Sequence, residues 1–412
     1  MANRGRSRAG SECVSPYLLT NGTRRYRIVY RVLDPLTGVS RQTSKRGFAT
    51  EKAAVTALHA VQAAKRAGTY VRQDRQPLAV FAAEWLDGHR AKPSTMDSYR
   101  KNLRLHVLPT LGKIPLQSVT TAQIDALYRK LEREGRVDGT GGLSPTTVKY
   151  VHVILREILA RAVADRVLVC NPADQAHPPT SKNVKASAPE RSTWSPDQIK
   201  RFLEAQRDHR LYALWVVYAT TGVRRGEALG LRWKDLDLSP ESGRATVVRT
   251  VGKVGGKINV GTPKGGKARS LDLDPFTVAV LREHRARQAA ERLRLGSRWV
   301  DQDLVFAHDS NKLGPEGVAG GYLNPEHVWR LLKTSIAAYN VAASSDLRLP
   351  VITVHELRHS WATMAMQQGV HPMVVKERLG HSSVSITLDL YSHVTATMQQ
   401  DAAMQIASGF LS

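Results

Sequence analysis

The apolar residues of this chain change their period along its length, and that change most constrains the fold. From Arg25 to Val32 they alternate: Tyr26, Ile28, Tyr30 and Val32 fall on one side, Arg25, Arg27, Val29 and Arg31 on the other. A period of two is that of a half-buried strand. Asp34-Pro35-Leu36-Thr37-Gly38 reads as a hairpin-like turn, and Val39 to Gly47 as one or two further short strands. Thr50 then caps a helix running to about Arg66. The result is a small sheet with one helix and a surplus of basic side chains. A basic ribbon of this kind can enter a DNA groove, which makes Arg25, Arg27 and Arg31 candidate DNA contacts.

From Leu78 to Ala173 the period is helical. Thr120-Thr121-Ala122-Gln123 is a capping box, followed by Ile124, Leu127, Tyr128 and Leu131 on one face, with Gly135 near the stop. Ser144-Pro145 starts another helix, with an apolar stripe of Val148, Val151, Leu155, Ile158, Leu159 and Ala162. Pro109-Thr110-Leu111-Gly112 is expected to separate two more. This predicts four to five helices with basic outer faces carrying Arg100, Lys101, Arg104, Lys149 and Arg156.

Residues Ala176 to Arg191 are rich in Pro, Ser, Lys and Ala without periodicity, and read as a linker. Ser195-Pro196-Asp197-Gln198 caps the first helix of a larger region, in which Ala245–Val251 and Ala268–Leu273 look like strands. The expected architecture is multidomain α+β: a sheet-plus-helix unit at 1–72, an all-α unit at 77–173, a linker at 174–193, and a mainly α unit with a small antiparallel sheet at 194–412.

A net charge of +24 suits a polyanionic partner. A membrane surface would attract the same charge, but the longest apolar run, Leu211 to Ala219, is far short of the roughly 20 residues of a spanning helix. The basic N-terminus lacks the apolar stretch of a secretory signal. Cys13 and Cys170 can form neither a disulfide framework nor a zinc module, so a reducing cytosol is expected.

The residues with chemistry lie in the last half. In Thr221-Gly222-Val223-Arg224-Arg225-Gly226-Glu227, the glycine suits a helix C-terminus and leaves Arg224 at the start of a helix carrying Leu229, Leu231 and Trp233. Glu227 has the reach to hold that guanidinium. Lys264 lies in a turn before the 268–273 strand, with Lys253, Lys257 and Lys267 as competitors. His355 and Arg358, three apart, share a helical face up to Gly369. Leu379-Gly380-His381 follows, and Tyr391 comes ten positions later. Two arginines, two histidines and a phenol are what a protein needs to attack a phosphodiester with its own side chain.

In that order and spacing, these motifs resemble the tyrosine recombinases, specifically phage-type site-specific integrases, from about residue 78 to 393. The resemblance implies an arm-type DNA-binding domain at 1–72, a core-binding domain at 77–173 and a catalytic domain at 194–412. It implies that Tyr391 attacks the scissile phosphate to give a 3′-phosphotyrosine, without metal, cofactor or ATP. Arg224, Arg358 and His381 would hold the non-bridging oxygens, with His355 as base, Lys264 as acid and Glu227 in support. One departure is the pair of glycines after Lys264, where the family more often has threonine and serine. The implied partners are double-stranded attachment sites of core and arm type, a homotetramer on DNA, an excisionase and a host DNA-bending protein. The implied setting is the nucleoid in a bacterial cytoplasm. The apolar tail after His393 is expected to pack in cis or on a neighbouring protomer.

Three rivals remain. His355-Glu356-Leu357-Arg358-His359 also spells the zinc-protease signature, with Glu377 as a third ligand, but that reading leaves the Arg224 motif and the charge unused. A non-enzymatic DNA-binding regulator would lack one of the catalytic residues. A chromosome-dimer resolvase typically begins at the helical unit, without a basic sheet before it.

Overall fold

The computed structural model describes residues 12–33, 39–187, 192–309, 318–380 and 383. The chain divides into two compact units, residues 1–188 and 189–412, a division that falls inside the expected linker. The expected 34–38 turn, His381, Tyr391 and the C-terminal tail lie outside the described residues.

The first unit opens with three antiparallel strands, β1 (Cys13–Leu18), β2 (Arg24–Leu33) and β3 (Ser40–Phe48), with β2 central. Alternation along β2 sends Ile28 and Tyr30 into a core completed by Ala54 and Leu58 of α1 (Glu51–Arg66). The Thr50 side chain accepts from Ala53 N and starts that helix as expected. β1 was not anticipated: Pro16 weakens its strand pattern, but an edge strand tolerates a proline.

The helical part comprises α2 (Leu78–Gly88), α3 (Pro93–Asn102), α4 (Leu108–Leu111), α5 (Thr121–Glu134) and α6 (Pro145–Ala164). The stripe expected on α6 is wholly buried. Pro109 does not separate two helices. A π-helical stretch, Leu103–Val107, joins α3 to α4, and the proline sits in the first turn of α4, where its missing N–H costs little. The expected linker is not structureless either. A capping box between Thr180 and Asn183 opens α7 (Ser181–Ala186), which buries no residue and so has no apolar period to reveal it.

The second unit starts with α8 (Pro196–Ala205) and α9 (Tyr212–Thr221). Nine of the ten α9 residues are buried, the pattern of a helix surrounded by its own core. The next helix, α10 (Arg225–Ala228), is shorter than expected: the chain turns at Leu229-Gly230, and Leu229 and Leu231 are buried outside it. The 245–251 strand is really two. β4 (Leu236–Asp237), β5 (Arg244–Val247) and β8 (Arg269–Asp272) form one antiparallel sheet in the order β4-β5-β8; β6 (Thr250–Val254) and β7 (Lys257–Gly261) form a separate hairpin. Arg249 breaks the run by bonding Asp235 Oδ2 at 2.7 Å. Helices α11 (Pro275–Leu295), α12 (Pro325–Ala342), α13 (Val354–Gln367) and α14 (Pro372–Leu379) complete the described unit.

Candidate active site

Helix α9 ends on Gly222, in the left-handed region at φ 61°. A Cβ there would lie 2.7 Å from Leu379 Cδ2 and 3.1 Å from the Trp361 ring, so only glycine lets α13 and α14 close on this turn. Arg224 follows at the head of α10. Its Nη1 donates to Glu227 Oε1 at 2.9 Å and its Nη2 to the Gly380 carbonyl at 2.6 Å. The carboxylate expected to hold this arginine does so.

Arg358 lies on α13 and is only 2% exposed. It donates to Gly222 O at 2.8 Å and Leu379 O at 2.7 Å, and makes no ion pair with a carboxylate among the described residues. Burial, then the nearby charge of Arg224, pushes its guanidinium down to about 9. A buried cation with only carbonyl partners is costly until an anion reaches it.

Glu227, 1% exposed, also receives Arg269, from Nη1 at 2.9 Å and Nη2 at 2.6 Å. Burial pushes this carboxyl up, but Arg269 and then Arg224 outweigh it and hold it below the usual carboxylate range. Two guanidinium groups thus grip one carboxylate, with the buried Arg358 guanidinium close enough to feel both charges, leaving a net positive pocket suited to a phosphate.

The pocket opens into a cleft of about 570 Å³ lined by Arg224, Arg225, Thr250, Trp329, His355 and Arg358, among others. His355 is exposed at the start of α13, one turn from Arg358, with its ring 4.5 Å from that of His359. The structure therefore brings Arg224, His355 and Arg358 together. Lys264 is exposed on the turn between β7 and β8, where Gly265 and Gly266 both have positive φ, and it is not in the cleft lining. Its competitor Lys253 pairs with Glu326 Oε2 at 3.2 Å.

Arg225, Arg269 and Trp329 were not singled out from the sequence. Arg225 adjoins Arg224 in the same motif and could have been. Trp329, 37% exposed on α12, and Arg269, on an alternating strand, carry no local signal of a site.

In the first unit, Arg25, Arg27 and Arg31 share the face of β2 opposite Ile28, with Arg27 Nε bonded to Ser15 Oγ at 2.9 Å and Arg31 Nε to Ser40 Oγ at 3.2 Å. Arg100, Lys101 and Arg104 are exposed on α3 and the π turn after it. Lys149 is half-buried and donates to Ser181 Oγ at 2.9 Å.

The zinc reading fares poorly. Glu356, its general base, accepts from Thr353 N at 2.6 Å in a capping box, and no group of three or more metal-ligating side chains occurs among the described residues.

The sequence matches the Phage integrase family over residues 193–398, its N-terminal SAM-like domain over 78–131, and an arm DNA-binding domain over 17–64. It is 29% identical to a XerC-like tyrosine recombinase of Caldanaerobacter subterraneus subsp. tengcongensis, covering 78% of this chain and 79% of that one. It is 26% identical to the ICEBs1 integrase of Bacillus subtilis, covering 76% and 77%. The fold is similar to that of the Tn1549 transposon integrase bound to transposon right end DNA, with a TM-score of 0.63 at 19% identity, covering 80% of this chain and 99% of the other.

Proposed function

From a chain that belongs to the phage integrase family of tyrosine recombinases, we propose a site-specific integrase whose nucleophile is Tyr391. The protein is a tyrosine-type recombinase that cuts and rejoins DNA to move a mobile element. The Tyr391 phenolic oxygen attacks the scissile phosphorus, the P–O5′ bond breaks, and a 3′-phosphotyrosine forms. A 5′-hydroxyl of the partner duplex then reverses the step, so the energy of the original ester is retained.

A phenol with a pKa of about 10 is ionised to about one part in a thousand at neutral pH, a handicap of about 4 kcal/mol. His355 takes the phenolic proton and removes that handicap. Arg224, Arg358 and His381 bind the non-bridging oxygens, each contributing about 3–4 kcal/mol by the measure of oxyanion-hole donors. Lys264 gives its proton to the departing 5′-oxygen, reaching it from the β7–β8 turn. Glu227 orients Arg224.

One observation carries this reading: among the described residues Arg358 is a buried guanidinium held by carbonyls alone, beside Arg224 and in the same cleft as His355. Residues 77–173 act as the core-binding domain, with Arg100, Lys101, Arg104 and Lys149 toward phosphates. Residues 1–72 act as the arm-binding domain through Arg25, Arg27 and Arg31, and 174–193 joins them to the catalytic domain at 194–412. The active assembly is a homotetramer on attachment-site DNA at the nucleoid, directed by an excisionase and a DNA-bending protein. The match of residues 17–64 to an arm-binding domain favours this over a chromosome-dimer resolvase.

A nicked suicide substrate tests the reading. Wild-type protein should be trapped covalently on the 3′ side of the cut, while Tyr391→Phe should bind the same site and form no adduct. An adduct with the phenylalanine variant ends the assignment.

A further inference from the structure

Glu227 sits against Arg224, and a buried carboxylate bonded to a phosphate-binding arginine would ordinarily cancel the charge that arginine is there to supply. The structure answers this with a second arginine. Arg269, at the start of β8, uses all three guanidinium nitrogens: Nη1 and Nη2 take both oxygens of Glu227 at 2.9 and 2.6 Å, and Nε donates to Arg378 O at 3.1 Å. Its guanidinium also packs on Gly380, where a Cβ would meet Arg269 Nε at 3.3 Å. Gly380 in turn gives its carbonyl to Arg224. Arg269 itself does not line the cleft.

We propose that Arg269 is a positioning residue for strand cleavage: it takes up the charge of Glu227 and clamps the Arg378–Gly380 turn, so that Arg224 stays aligned with its charge directed at the scissile phosphate. This rests on the reading of Arg224 as a phosphate ligand. The two arginines grip one carboxylate and one turn, and both donate to Glu227 Oε1. Of the two only Arg224 lines the cleft, so the charge of Arg269 is taken up inside the protein and that of Arg224 is left for DNA. Arg269 also lies five residues after Lys264, so the same clamp anchors the strand leading out of the lysine turn.

Removing Arg269 leaves Glu227 buried with Arg224 as its one ion-pair partner among the described residues, which draws that guanidinium away from the phosphate. Removing the carboxylate charge as well should relieve the fault. The test uses full-length wild type, Arg269→Ala, Arg269→Lys and the double variant Arg269→Ala/Glu227→Gln on a core-site suicide substrate. Single-turnover cleavage, core-site binding and thermal unfolding are measured for each.

Arg269→Ala should cleave about 10²-fold more slowly at saturating protein, on the scale of one lost electrostatic donor, with binding within about threefold of wild type. Arg269→Lys keeps a charge but cannot bridge both oxygens and the carbonyl, and should lose about tenfold. The double variant should regain at least about tenfold over Arg269→Ala, because the uncompensated carboxylate is gone. A purely structural ion pair predicts the opposite, a double variant no faster than the single one, and that result overturns the proposal. Wild-type cleavage by Arg269→Lys, read alone should the alanine variant fail to fold, overturns it too. Absence of any adduct with wild-type protein would instead remove the phosphotyrosine reading beneath it.

Discussion

Arg358 donates to the carbonyl of Gly222 at 2.8 Å, which ties the start of α13 to the last turn of α9 across 136 residues. The bond exists because Gly222 adopts a left-handed conformation and has no side chain to hold Leu379 and Trp361 away. Gly222→Ala should therefore cost about 3 kcal/mol, combining a positive φ with overpacking. It should also turn the carbonyl that seats Arg358, lowering cleavage by at least about tenfold. Thermal unfolding and single-turnover cleavage check both effects, and an unchanged melting temperature would contradict the packing account.

Acid should weaken the catalytic unit through His284. This side chain is 3% exposed on α11, and its Nε2–H donates to Val305 O at 2.8 Å. Burial first, then the Arg210 and Arg287 charges, hold its pKa down to about 4, against the opposing pull of that hydrogen bond. The unfolded chain takes up this proton near 6.5 and the folded one only near 4. Between those values the unfolded state binds more protons, so stability falls as pH drops through the window. The loss should reach about 3 kcal/mol at the acid end. Denaturant unfolding from pH 7 to 4 measures it, and His284→Gln should flatten the slope.

What the sequence made legible, and what it hid, follows from how local each signal is. The capping residues Thr50, Thr120, Ser144 and Ser195 each start the helix expected of them, because a cap bonds backbone only two or three residues away. The Arg224–Glu227 pair was readable for the same reason, as was the shared face of His355 and Arg358. Arg269 was not: its partner Glu227 lies 42 residues off, and on an alternating strand it looks like any solvent-facing polar residue. Trp329 was hidden similarly, since it reaches the cleft only through the packing of α12 against α8 and β6. The π stretch after α3 kept Pro109 inside a continuous helical path, and no propensity rule announces such a stretch. His381 and Tyr391 were recognised from family spacing, and they lie outside the described residues.

Deleting residues 1–72 should leave cleavage of a core site within about threefold while weakening binding to arm-type sites. Arg25, Arg27 and Arg31 lie on the face of β2 away from the α1-packed core, so that surface can meet phosphates without unfolding the unit. Their triple alanine variant should reproduce the arm defect in the full chain and lower the salt slope of arm binding by about two to three. Footprinting of a complete attachment site separates the outcomes. Protection of arm sites by the truncated protein would count against the assignment.

A leaving group that needs no proton should bypass Lys264. Its turn carries two glycines at positive φ, Gly265 and Gly266, and leaves the ammonium exposed on a short tether beside β8. Lys264→Ala should slow cleavage of an ordinary phosphodiester by about 10²–10⁴-fold, the range for loss of a general acid. With sulfur in place of the 5′-bridging oxygen, the thiolate departs unprotonated and the variant should cleave near the wild-type rate. Lys253→Ala, Lys257→Ala and Lys267→Ala should show no comparable rescue, Lys253 being already paired with Glu326. Rescue of Lys267→Ala in place of Lys264→Ala would move the acid three residues along the turn while leaving the phosphotyrosine chemistry intact.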